Sequence, residues 1–173
     1  TSALVDKLDA AGAEGTFFFT GTLYGFVAYM DPRESRQSRH FPDTVGDEQA
    51  FVNIFGKKPA YMRPLNLATS SNMLSVMSQM GYSVITDDVD AGDGNHQTAQ
   101  QSEQKFTQAG ASGNGHIPLM HETYDSTVNT LVPWLINWAK TNNLKIVTIA
   151  ECLDDAANMY QPGTFTGNGA SSC

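Results

Sequence analysis

The stretch Ser71-Asn-Met-Leu-Ser-Val-Met-Ser-Gln-Met-Gly-Tyr-Ser-Val-Ile-Thr86 decides the fold class. Met73, Val76, Met77 and Met80 recur at helical spacing and share one helix face. Ser70 or Ser71 can cap the start, because a serine oxygen accepts an orphan amide of the first turn, and Gly81 ends the helix. Tyr82 to Thr86 then reads as a short strand. A helix, a glycine and a strand in immediate succession make an α/β unit.

The same alternation recurs on both sides. Leu4, Val5, Leu8 and Ala11 mark a helix over Ser2 to Ala11, stopped by Gly12, and Thr16-Phe-Phe-Phe19 follows as an apolar strand. Ala99 to Ala109 reads as a polar-faced helix with Phe106 inward. Ile117 to Met120 is a strand whose Pro118 lacks an amide donor, which suits strand entry or an edge. From Ser126 to Asn142, a helix turns Val128, Leu131, Val132, Leu135, Ile136 and Ala139 one way. Leu144 to Ile149 reads as a strand, and Thr148-x-x-Glu151 opens a last helix with Leu153, Ala156, Ala157 and Tyr160 inward. Helices alternating with short apolar strands predict an α/β fold with parallel pairing. Phe26 to Asp47 carries no usable period and crowds Arg33, Arg36 and Arg39, so it reads as a loop. The expected organisation is one domain over residues 1–160 and a Gly/Ser/Thr-rich tail over 161–173.

The 173 residues suit a single domain. Ten Lys and Arg against 18 Asp and Glu give a net charge of −8, which repels phosphate backbones and argues against nucleic-acid binding and a basic membrane-surface role. Charged residues are only 16%, and Ser, Thr, Asn, Gln and Gly fill the polar share. That balance leans toward a secreted or cell-wall protein. No apolar run reaches the roughly 18 residues of a membrane span, so no membrane insertion is expected. Thr1 to Asp6 has no basic n-region, so the expectation is a mature secreted form or a chain never targeted. Cys152 and Cys173 can bridge and tie down the tail, or stay as two free thiols.

In parallel α/β proteins, sites form at the carboxyl ends of strands. Asp87-Asp-Val-Asp-Ala-Gly-Asp93 follows one strand, His121-Glu-Thr-Tyr-Asp125 follows another, and Arg63 precedes the helix at Ser71. A histidine held by a carboxylate can serve as a general acid, and an arginine can orient a second carboxylate. The bland alternatives are a backbone-satisfied histidine at 121, a solvated acidic turn at 87–93 and a structural ion pair at Arg63. His40, His96 and His116 read as solvated loop histidines. No histidine pair has metal-ligand spacing.

Several segments, in this order, resemble the polysaccharide deacetylases of the NodB-homology type (carbohydrate esterase family 4). Leu8-Asp-Ala-Ala-Gly-Ala-Glu-Gly-Thr-Phe-Phe-Phe-Thr-Gly21 looks like the segment after their first strand. Lys57-Lys-Pro-Ala-Tyr-Met-Arg63-Pro64 looks like the third motif, Asp90-Ala-Gly-Asp93 the fourth and Pro118-Leu-Met-His121 the fifth. Lys145-Ile-Val-Thr-Ile-Ala-Glu-Cys-Leu153 is similar to the fungal members, the chitin deacetylases. The likeness covers residues 2–25 and 52–160.

The resemblance implies a distorted, incomplete (β/α) barrel that removes acetyl groups from N-acetylglucosamine polymers with the help of a divalent metal, zinc first among them. Carried over, His121 protonates the leaving amine, Asp93 is its carboxylate partner, Arg63 orients the catalytic base, and Leu119 lines the pocket for the acetyl methyl. The family's first motif is expected ahead of Thr1. The second, with its metal histidines, belongs between Gly21 and Phe51, where Ser38-Arg-His40-Phe-Pro42 comes nearest, so His40 is the candidate ligand. The alternative implied is a catalytically inactive, secreted carbohydrate-binding relative. Either way the partner is chitin or a related N-acetylated polysaccharide.

Overall fold

In chain order the elements are α1 (Ser2–Ala11), β1 (Phe17–Thr20), β2 (Val27–Met30), β3 (Tyr61–Arg63), α2 (Ser71–Gln79), β4 (Ser83–Val84), β5 (Val89–Asp90), α3 (Ala99–Ala109), β6 (Pro118–Leu119), α4 (Val132–Thr141) and α5 (Ile149–Cys152). The structure is a computed structural model and describes residues 2–20, 27–30, 51–53, 55–113 and 115–164. The chain divides into two units, one over Thr1–Gly15 and Asp87–Cys152, the other over Thr16–Thr86 and Leu153–Cys173. The α/β content is as the alternation predicts; among the described residues no closed barrel forms.

In the first unit, the parallel pair β5–β6 is covered by helices. Val89, Ala91, Phe106 and Leu131 form its core, with Met120, Trp134 and Leu135 packed on them. Helix α3 starts on a reciprocal cap. Thr98 Oγ1 accepts from Gln101 N at 3.3 Å, and Gln101 Oε1 accepts from Thr98 N at 2.9 Å. Before α4 the chain winds a wide π-helical turn over Thr127–Leu131. That turn runs directly up to Pro133, whose ring would crowd the carbonyl four residues back in a regular α-turn. Helix α1 buries Val5 and Leu8, and Gly12 closes it at φ 64°.

In the second unit, four strands lie in the order β1-β2-β3-β4. The expectation of parallel pairing holds for β3–β4 but not for β1–β2 and β2–β3, which are antiparallel. Strand β2 also falls inside the stretch read as a loop. It has only four residues, and its register, Phe17 opposite Met30 through Thr20 opposite Val27, comes from a partner distant in sequence. Helix α2 is capped by Ser70, whose Oγ accepts from Met73 N at 3.2 Å. Its expected inward face is corrected: Met73 and Met77 are half-buried, but Val76 and Met80 are exposed. Spacing decides which residues share a face, not whether anything packs on it.

Two further expectations change near the end. Leu144 to Ile149 is not a strand. Ile146 O accepts from Glu14 N at 3.0 Å, and Thr148 Oγ1 accepts from Glu151 N at 3.1 Å, so the cap starts α5 inside the apolar run. The last helix stops at Cys152, because Asp154 takes φ 55°; Leu153 is exposed, and Tyr160 bridges to Pro59 instead. Cys152 is exposed and forms no disulfide among the described residues, and Cys173 lies outside them. Among the described residues, no helix is long and apolar enough to cross a membrane.

Candidate active site

After β5 the chain is turned sharply. Asp90 Oδ1 accepts from Gly92 N at 2.7 Å, and Gly92 takes φ 77°, which opens a short 3-10 turn at Asp93–Asn95. This brings the Asp93 carboxylate to the end of β6, where His121 emerges. Asp93 is 3% exposed. Its Oδ1 accepts from Gly94 N at 2.8 Å and pairs with His121 Nδ1 at 2.7 Å. Its Oδ2 accepts from His121 N at 2.6 Å and from Thr127 Oγ1 at 2.8 Å.

Four donors fill a carboxylate's lone-pair positions. Burial pushes the Asp93 carboxyl up, but the bonds from the His121 ring, the His121 amide and Thr127 outweigh it and hold the group below its ordinary value. Asp93 is therefore ionised, and an ionised acceptor requires the hydrogen on Nδ1 of His121. That fixes the ring's tautomer and turns Nε2 outward, and the side chain is 45% exposed. The ring can hold a proton at Nε2 and release it to a bound group, with Asp93 stabilising the charge.

Two neighbours shape the ring's surroundings. A methyl group at Gly94 would stand 3.0 Å from His121 Cε1, tight enough that the ring would have to give by a few tenths of an ångström. Tyr124 meets the His121 ring edge-on, centroids 6.0 Å apart, and His96 lies on Tyr124 at 6.3 Å in the same manner. The sequence reading gives no role to Thr127, Gly94 or Tyr124. A threonine just ahead of the apolar helix face that begins at Val128 was the available signal for Thr127.

The other candidates are placed as follows. Leu119 is half-buried on β6, paired with Asp90. Arg63 belongs to the second unit, on β3; it is buried, donates from Nη2 to Thr86 O at 3.2 Å, and sits 4.5 Å from the Phe18 ring centroid. His40 lies outside the described residues. His96 is exposed, as a loop histidine should be. His116 is not a solvated loop residue. It is half-buried and its Nδ1 lies 2.6 Å from Asp88 Oδ2. Among the described residues no three His, Cys, Asp or Glu side chains converge to hold a metal ion. These residues do not by themselves fit the divalent metal that the resemblance implies, and no step is assigned to one.

Comparison with known proteins places the chain. It is 31% identical over 192 residues to a chitin deacetylase of Colletotrichum lindemuthianum, covering 93% of this chain and 77% of that protein. A solved structure described as the chitin deacetylase from that fungus superposes with a TM-score of 0.75 at 26% identity, covering 92% of this chain and 84% of that one. The chain belongs to the polysaccharide deacetylase family.

A second relative, a chitin deacetylase of Pestalotiopsis sp., is 34% identical over 188 residues. That match covers 94% of the chain but 63% of the relative, so the chain spans under two thirds of that protein's length. No family model matches the sequence. A cavity of about 400 Å³ elsewhere in the first unit is lined by Gly12, Glu14, Ile136, Lys140, Leu144 and Glu151 among others, and neither His121 nor Asp93 lines it.

Proposed function

We propose that the chain removes acetyl groups from N-acetylglucosamine units of chitin or a related polysaccharide, with His121 as general acid. Amide hydrolysis breaks the C–N bond only if the departing nitrogen gains a proton, since an unprotonated amide anion is a very poor leaving group. His121 Nε2 delivers that proton, and Asp93 holds the ring and balances its charge. The observation that carries this reading is the buried, four-fold bonded Asp93 beside a half-exposed imidazole. The relatives named chitin deacetylase support the substrate class. Arg63 as orienter of the base, Leu119 as a wall of the methyl pocket and an incomplete barrel belong to the same reading, as does a place outside the cell or in the cell wall.

The test is acetate release from chitin oligomers, in buffer supplemented with zinc. Wild type should release acetate and His121→Ala should lose about 10²–10⁴-fold, the usual worth of a positioned acid. Saturable oligomer binding with no acetate from wild type would overturn the reading in favour of a carbohydrate-binding protein.

A further inference from the structure

The strands that carry the dyad are weakly joined. β5 and β6 have two residues each, and Pro118 of β6 has no amide to give. The backbone bonds that flank the ladder are Asp88 N to Ile117 O at 3.1 Å and Ala91 N to Leu119 O at 3.0 Å. Such a short pair has little of its own to resist slipping, and a slip of one residue would send His121 to the opposite face.

Each end of the pair carries the same device. Past the carboxyl end, Asp93 meets the Nδ1 and the amide of His121. Ahead of the amino end, Asp88 Oδ2 meets His116 Nδ1 at 2.6 Å, and Asp88 Oδ1 accepts from Ile117 N at 2.6 Å. Both histidine–aspartate pairs join residues 28 apart in sequence, so both specify one register. They differ on the outer side of the ring. His121 is open to solvent, whereas His116 Nε2 is enclosed and has no hydrogen-bond partner among the described residues. A nitrogen so enclosed cannot exchange a proton with a substrate.

We propose that Asp88 and His116 are positioning residues: they lock the register of β5 against β6 and thereby hold the His121 ring on Asp93. The catalytic consequence rests on the reading of His121 as general acid; the effect on the ring does not. His116→Ala and Asp88→Asn are compared with His116→Asn, whose amide nitrogen can still donate to Asp88. Two quantities are read: the split between kcat and KM for acetate release, and the ring nitrogen NMR shifts of His121, which report the Nδ1–H tautomer. His116→Ala and Asp88→Asn should lower kcat by about ten- to a hundredfold, the scale of a sub-ångström to 1 Å misplacement, with KM little changed. They should also shift His121 from one tautomer to the mixture found in water, and His116→Asn should restore most of both. Variants that melt earlier yet keep kcat and the His121 shifts would overturn the proposal. If wild type releases no acetate, the functional reading fails by itself, and the His121 shifts still decide for or against the clasp.

Discussion

Burial alone would drive Asp93 toward its protonated form, since a carboxylate loses hydration when enclosed. Donors from the His121 ring and amide and from Thr127 reverse that, so the group's folded value lies below its unfolded one. A depressed carboxyl contributes its stability fully above the unfolded value of about 3.9 and loses it as pH falls through the lower folded value. Urea unfolding from pH 7 down to pH 3 should therefore show falling stability below about pH 4. Thr127→Val removes one donor at nearly constant volume. It should cost about 1–3 kcal/mol at neutral pH and make the acid fall shallower, because folded and unfolded values move together. An unchanged acid limb would contradict the role given to Thr127. The strand-end rule points to His121 and to the acidic run at 87–93 because it needs only local patterns, and the resemblance singles out Asp93 within that run. His116 was not: flanked by Gly115, it resembles a loop residue, and the Asp88 that holds it is 28 positions away.

At the scale of elements, the helices were legible and the strands much less so. Ser2–Ala11 and Ala99–Ala109 occur as the period required, with Val5, Leu8 and Phe106 inside. A helix makes its bonds within itself, so its evidence is contiguous. Strands of two to four residues show no period, and their pairing depends on distant segments; for that reason β2 lies in a stretch that reads as a loop, and the apolar run Leu144 to Ile149 reads as a strand without forming one. The reciprocal cap at Thr98 and Gln101 is a local pattern, Thr-x-x-Gln ahead of the helix. Thr98→Ala should lower unfolding free energy by about 1 kcal/mol, with Gln101 losing its reciprocal partner. The denaturation midpoint measures this, and an unchanged midpoint would show that α3 is held by Phe106 and Ser102 alone.

At the scale of the whole chain, each unit is assembled from two separated segments, which no local pattern announces. In the second unit the returning segment is tied to β3 and its approach. Tyr61 Oη donates to Asp155 Oδ2 at 2.7 Å, Gln161 N donates to Lys58 O at 2.8 Å, and Gln161 Nε2 donates to Pro59 O at 3.1 Å. The composition makes Gln161 the start of a loose tail, yet its backbone and side chain are both engaged. Burial, the hydrogen bond to Asp155 and that carboxylate's charge push the Tyr61 phenol up to about 12. A raised value contributes stability fully below the unfolded value of about 10 and loses it as pH rises toward 12. Thermal unfolding followed across that alkaline range should fall for wild type and stay flatter for Tyr61→Phe, whereas parallel curves would mean the contact contributes nothing.

The general-acid role of His121 is tested most directly by changing what leaves. Initial rates of His121→Ala and wild type are compared on an N-acetylglucosamine oligomer, whose amine must gain a proton to depart, and on an aryl acetate ester, whose phenolate departs without one. Proton delivery by Nε2 predicts a loss of about 10²–10⁴-fold on the amide and a rate near wild type on the ester. Equal losses on both substrates would mean that His121 does something other than protonate the leaving nitrogen.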